Sequence, residues 1–299
     1  MAWTAADIPS QDGRSVVVTG ATNGIGYQTA RELARAGADV VLAVRDVVRG
    51  EQVRDETGAA AVVRLDLADL ASVRSAAQAL RERWPRLDVL INNAGVMGLP
   101  RRLTPDRLEL QMATNHFGPF ALTGLLIDTL RDGLVVTVAS GAHRRGRIDL
   151  DDLQSERRYD RWRVYSNTKL ANLLFAFELG RRAAAAGLEL RSLAAHPGLA
   201  RTNLFAAGAR LDGNRLKELA IGWGLRVLGQ SDAQGALPSL YAATVPGLPS
   251  GSYVGPGGIH EWRGHPRLVS GSKAAYDEAV ARRLWAASEE ITGVRYLAA

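Results

Sequence analysis

The chain of 299 residues contains no cysteine. Disulfides, thiolate metal sites and cysteine nucleophiles are therefore excluded. No metal ligand set is expected. Lysine is nearly as scarce: only Lys169, Lys217 and Lys273 stand among 37 cationic residues, which leaves 34 arginines. No apolar run is long enough to cross a bilayer. The best candidate, Phe117 to Leu130, is short and holds Asp128. The opening residues, MAWTAADIPSQDGR, lack a basic stretch followed by an apolar core, so no signal peptide is read there. A cytoplasmic protein is the expectation.

What is present suits a globular protein. Hydrophobic residues make up 46% and charged residues 23%, enough apolar material for a sizeable core. The formal charge of +6 and pI near 9.9 raise the question of a nucleic-acid partner. The arginines are spread along the chain among Asp and Glu, a pattern that reads as a solvated surface. Arg144, Arg145 and Arg147 have no interleaved aromatics to stack bases. No nucleic acid is expected.

Apolar, β-branched runs alternate with helical patterns over the first two-thirds. Strands are read at Ser15–Thr19, Asp39–Val44, Ala61–Leu65, Asp88–Ile91, Leu134–Ala139 and Leu188–Ala194. Helices are read at Ile25–Ala36, from Asp46 as cap through Arg54, Asp69–Trp84, from Thr104 and Pro105 to about Leu130, and Arg161–Ala186. Strands separated by helices of this length form parallel βαβ units. Near-continuous apolar strands imply a sheet covered on both faces. No repeat or linker interrupts the pattern, so residues 1–299 are read as one domain. From 199 to 230 the pattern weakens, and a substrate lid is expected there. Its stretch RLKELAIGWGLRVLGQ mixes basic and apolar residues, so peripheral contact with a membrane is a second use for it.

The first strand runs into Thr19-Gly20-Ala21-Thr22-Asn23-Gly24-Ile25-Gly26. Glycines between a strand and a helix allow a tight turn and a close approach of backbone N–H groups to a pyrophosphate. The spacing is G-x-x-x-G-x-G. A purely structural turn is the competing reading. The second strand ends Ala43-Val44-Arg45-Asp46, without the carboxylate that an NAD enzyme places on the ribose. A guanidinium at Arg45 suits a 2′-phosphate instead, and NADP(H) is the expected cofactor. The alternative is a surface arginine. Asp46 reads as the cap of the next helix.

Tyr165 and Lys169 lie four residues apart on one helical face. An ammonium beside a phenol stabilises the phenolate and draws its pKa down. With so few lysines, chance rarely places one at that spacing from a tyrosine. Ser140 follows the fifth strand at its C-terminal end, where open α/β sheets bind ligands. Asn115 falls on a helical stripe with Leu108, Met112, Leu122 and Leu126, where a polar side chain needs a partner. Pro119 deprives the carbonyl of residue 115 of its helical donor, so a kink is expected. The freed carbonyl either holds a water at a site or is satisfied by another group.

These residues resemble the short-chain dehydrogenase/reductase family. The matching elements are Thr19-Gly20-x-x-x-Gly24-x-Gly26, Asp66, Asn92-Asn93-Ala94-Gly95, Asn115, Ser140, Tyr165-x-x-x-Lys169 and Pro197-Gly198, over about residues 14–202. The words NHFGPFALT, YSNTKLANLLF and RRLWAASEEITGV resemble the branch of retinol dehydrogenases, WW-domain oxidoreductases and protochlorophyllide reductases. Protochlorophyllide reductases carry a cysteine in the site, and this chain has none.

The resemblance implies a Rossmann fold with a doubly wound, seven-stranded parallel sheet between two helix layers, its last strand at Ser252–Val254. It implies Tyr165 as general acid or base, Lys169 on the nicotinamide ribose, Ser140 orienting a carbonyl, and Asn115 holding a relay water. Gly20, Thr22, Asn23, Gly24, Ile25, Gly26, Arg45, Asp66, Leu67, Asn93, Ala94, Gly95, Pro197, Gly198 and Thr202 would bind the cofactor, with Asp66 at the adenine and Thr202 on the carboxamide. The implied substrate is a lipophilic aldehyde, ketone or alcohol. Homodimers and homotetramers both suit the sequence. A non-catalytic, cofactor-sensing Rossmann protein is the competing reading. Such proteins commonly lose the tyrosine or the lysine, and this chain keeps both.

Overall fold

A computed structural model describes residues 2–199 and 229–298. The expected Thr202 contact and most of the expected lid lie outside the described residues. Eight strands form one sheet: β1 Ser15–Thr19, β2 Asp39–Val44, β3 Ala61–Arg64, β4 Val89–Asn92, β5 Leu134–Val138, β6 Arg191–Ala195, β7 Tyr253–Pro256 and β8 Pro266–Leu268. Their order is β3-β2-β1-β4-β5-β6-β7-β8. All neighbours are parallel except β7 and β8, which are antiparallel. The expected seven-stranded sheet thus gains an eighth strand. At three residues, beginning with proline, β8 is too short to show a period, yet it covers an edge that β7 would leave unpaired.

The helices are α1 Gly24–Arg35, α2 Val47–Thr57, α3 Leu70–Arg83, α4 over 110–125, α5 Arg161–Ala185, α6 Asp232–Thr244 and α7 Glu278–Thr292. Alternation along the strands divides the core. Val16 and Val18 pack with Ala30 of α1, Val53 of α2 and Leu240 of α6. Val17 faces the other way, toward Val73 of α3, Phe120 of α4, Phe175 of α5 and Trp285 of α7. Side chains on one strand alternate between faces, so a strand buried on both sides must be apolar throughout.

Helix α4 departs from expectation at both ends. It consists of Leu110–Met112, a π turn at Ala113–Phe117 and Gly118–Leu125. Thr104 does not start it. Instead Arg107 N–H donates to the Thr104 carbonyl at 2.9 Å, Arg107 sits at φ 61°, and Leu103 pairs with Glu109 in a tight antiparallel turn. Thr-Pro suits the first two positions of such a turn as well as a helix start. Glu109 caps the helix, accepting from Met112 N–H at 2.8 Å. Just before Pro119 the backbone widens by one residue, and Gly118 N–H reaches the Ala113 carbonyl. Widened turns of this kind recur at functional sites, and this one carries Asn115.

Candidate active site

The strand order reverses between β1 and β4, and a cavity of about 1230 Å³ opens along the C-terminal ends of the strands. Crevices at that position are where open α/β sheets bind ligands. The cavity is lined by the turn after β1, the ends of β2 and β3, the segment after β4, the turn after β5, and Pro197 and Gly198 after β6.

The turn after β1 is held by close packing. Gly20 and Gly24 adopt φ 67° and 59°, the left-handed region that favours glycine. A Cβ on Gly20 would lie 2.8 Å from the Cβ of Ala94, and one on Gly26 would lie 2.5 Å from Asn93 Nδ2. Thr19 Oγ1 accepts from the N–H groups of Asn93 and Ala94 at 3.0 Å each, so the segment after β4 is fastened to the turn. Helix α1 starts at this turn, and Asn23 makes no side-chain cap, whereas Asp46, Asp69, Asp160, Ser231 and Asp277 cap α2, α3, α5, α6 and α7. The first N–H groups of α1 therefore face the cavity without a capping side chain, a donor set that fits a pyrophosphate.

Thr22, Asn23, Ile25, Arg45, Asp66, Leu67 and Gly95 line the same cavity. Asp46 is committed elsewhere, accepting from Arg49 N–H at 3.0 Å. Asp66 Oδ1 accepts from Ala68 N–H at 3.0 Å.

At the other end, Tyr165 and Lys169 project from α5 beneath the turn after β5. Both are buried, at 8% and 4% exposure. Lys169 Nζ donates to the Val138 carbonyl at 3.0 Å and stands 5.8 Å from the centre of the Tyr165 ring. Burial pushes Lys169 down to about 8. The expected depression of Tyr165 is not found. Burial raises the phenol above its ordinary value, while a hydrogen bond with Ser140 acts in the opposite direction. The ammonium places one of its three donors on the Val138 carbonyl. Ser140 Oγ also accepts from Ala142 N–H at 3.2 Å.

Asn115 does not line the cavity. It is fully buried one layer behind, its Oδ1 accepting from Val96 N–H at 2.7 Å and its Nδ2 donating to the Val96 carbonyl at 2.8 Å and Thr168 Oγ1 at 3.0 Å. Gly95 separates it from Lys169: a Cβ there would lie 3.1 Å from Asn115 Oδ1 and 3.5 Å from Lys169 Nζ.

Residues 14–210 match the short chain dehydrogenase family. The chain belongs to that family. It is an oxidoreductase acting on CH–OH or C=O groups, and the family uses a nicotinamide cofactor. Human retinol dehydrogenase 13 is 39% identical over 297 residues, covering 94% of this chain and 85% of that protein. An uncharacterised protein from Mycobacterium Paratuberculosis superposes with a TM-score of 0.84 at 46% identity, covering 99% of each chain. A 3-ketoacyl-(acyl-carrier-protein) reductase from Brucella melitensis, solved with NADH, shares the fold with a TM-score of 0.63 at 23% identity, covering 82% of this chain and 96% of its own. No helix among the described residues is long and apolar enough to cross a membrane.

Sequence reading missed one wall of the cavity. Val96, Met97, Leu99, Trp162 and Trp262 line it beside Tyr165. Trp162 lies against Gly98, whose Cβ would come within 2.9 Å of the indole. Trp162 had a readable signal, since it precedes Tyr165 by three residues and so shares its helical face. Trp262 stands among glycines without a period and had none.

Proposed function

We propose that this protein is an NADP-dependent oxidoreductase that moves a hydride between nicotinamide and a lipophilic carbonyl or alcohol, with Tyr165 as proton donor and acceptor. The observation that carries the reading is the burial of Tyr165 with Ser140 and Lys169 at one end of a cavity whose other end is the glycine turn. Nicotinamide, when bound, gives or takes the hydride.

The chain's own residues do the rest. In reduction the Tyr165 hydroxyl donates its proton to the carbonyl oxygen, and in oxidation it takes the proton back. Burial holds the phenol above its ordinary value, so the resting side chain carries its proton, the form that donates in reduction. Ser140 Oγ orients the substrate oxygen. Lys169, at about 8, remains charged at neutral pH and bonds the ribose. Asn115 acts through the wall it braces, holding Val96 from behind.

The cofactor choice rests on Arg45, which lines the cavity and makes no ion pair among the described residues. The lipophilic substrate rests on the wall of Val96, Met97, Leu99 and the two tryptophans. We take the cytoplasm as its compartment. The test is oxidation of NADPH and NADH against a panel of aldehydes and ketones of increasing apolar length. Turnover of long apolar carbonyls with NADPH supports the reading. Tight NADPH binding without turnover of any of them supports a cofactor sensor instead.

A further inference from the structure

The turn after β7 carries backbone strain beside the cavity. His260 and Glu261 are successive residues in the left-handed region, at φ 51° and 58°. Residues with side chains hold that conformation only where their surroundings over-determine it, and such positions cluster at functional sites. The contacts of Glu261 supply the constraint. Its Oε1 accepts from Arg144 Nη2 at 3.1 Å, and its Oε2 lies 3.0 Å from Nε2 of the buried His196. The second approach is short but not aligned as a hydrogen bond, so the imidazole dipole lies beside the carboxylate charge. His196 Nδ1 accepts from Gly198 N–H at 3.3 Å, which leaves the ring proton on Nε2, the nitrogen nearer the carboxylate. The His196 contact, with Arg144, holds Glu261 below the usual carboxylate range, so the charge is kept.

The backbone is cleared for this arrangement. A Cβ on Gly255 would lie 2.1 Å from His196 Nε2, and one on Gly198 would lie 2.5 Å from the Trp262 carbonyl oxygen. That carbonyl accepts from Leu199 N–H at 2.8 Å. Arg144 belongs to the turn that Ser140 opens, and its Nη2 also donates to the Ser270 carbonyl at 3.0 Å. Three cavity walls therefore meet on one carboxylate: the turn after Ser140, the end of β6, and the turn holding Trp262.

We propose that Glu261 is a positioning residue for substrate: its carboxylate keeps these three walls in register and so sets the shape of the substrate side of the cavity. The proposal rests on reading that side as a carbonyl site. Residues that share one link show non-additive effects when both are changed. Glu261→Gln and Arg144→Gln are each expected to raise the substrate KM about tenfold, the double variant no more than either single one, and the Kd for NADPH, read by its fluorescence, to stay within about twofold. Amide exchange of the full chain without substrate supplies a readout independent of turnover. Gly198 and Leu199 should exchange faster in both single variants. A merely structural role would lower thermal stability and weaken cofactor and substrate binding together. Unchanged exchange at Gly198 and Leu199, single effects that multiply in the double variant, or an NADPH Kd that rises in step with KM overturns the proposal. If the parent reduces no carbonyl, the functional reading fails, and exchange alone then decides whether Glu261 holds the walls.

Discussion

On the cofactor side of the cavity, residues 20 to 26 run without a break from the turn after β1 into α1, and Thr19, Asn93 and Ala94 fasten them to the segment after β4. The substrate side is assembled from segments at 96–99, 140–145, 162 and 260–262, with 196–199, where Pro197 and Gly198 are expected at the cofactor, on its border. Its links run between side chains, as Arg144 joins Glu261. The cofactor side depends on backbone conformation and close approach, which few residue types supply. The substrate side depends on side chains of many kinds meeting in space. Changes on the first should alter cofactor binding alone, and changes on the second should alter substrate use alone. Tyr165 and Lys169 stand where the two sides join.

The largest effect should come at that junction. Tyr165→Phe is expected to lower kcat by about 10²–10⁴-fold, the usual contribution of general acid–base help, while the NADPH Kd stays nearly unchanged. Steady-state kinetics and a binding titration check both halves. Retention of near-native kcat would remove Tyr165 from the chemistry.

Lys169→Met should abolish turnover yet stabilise the fold at neutral pH. The folded pKa of about 8 lies below the unfolded value of about 10.4. Between those two values the folded state binds fewer protons than the unfolded one, so stability rises with pH across that window. Below it, the buried ammonium costs on the order of 3 kcal/mol, reckoned from about 1.4 kcal/mol per pKa unit. The Val138 carbonyl keeps a donor in the variant, because Asn172 Nδ2 also reaches it at 3.1 Å. Denaturant melts of parent and variant at pH 7 and pH 10 should show the variant's advantage shrinking as pH rises. An advantage independent of pH would mean that packing, not charge, is responsible.

Arg45→Ala tests the cofactor side alone. One charge-assisted bond is worth roughly 1.5–3 kcal/mol, so about 10–200-fold preference for NADPH over NADH should be lost, almost wholly through NADPH. Salt should shrink the parent's preference as well, because exposed charges are screened. A ratio of kcat/KM values that does not change would show Arg45 to be an ordinary surface arginine.

Trp162→Ala tests the substrate side, with the smallest effect. The indole is partly exposed toward the cavity, at 39%. Covering about 50 Å² of it with substrate would contribute roughly 1.3 kcal/mol, so KM for a long apolar aldehyde should rise about tenfold. A short aldehyde should show little change, and neither should the NADPH Kd. Equal losses for long and short aldehydes would remove Trp162 from the substrate wall.

How much of this was legible varies with the kind of signal. Buried parallel strands are apolar throughout, so SVVVT and LVVTV announced β1 and β5 within one residue of their bounds. Asp46 and Asp69 announced helix starts through local hydrogen bonds to residues three ahead. Thr104-Pro105 carried the same local signal and misled, because the contact that won was the pairing of Leu103 with Glu109. Asn115 was legible as a polar residue on an apolar stripe, but its partner was not, since Val96 comes from the segment after another strand.

The sequence by itself determined the βαβ order, the glycine turn and the Tyr165–Lys169 face, because each is set by residues within one turn or one strand of each other. Tertiary structure alone decided the eighth strand, the placement of Asn115 behind the cavity rather than in it, the rise rather than fall of Tyr165, and the meeting of Arg144, His196 and Glu261. Each of those depends on burial or on contacts between residues distant in the chain, and no local period records either.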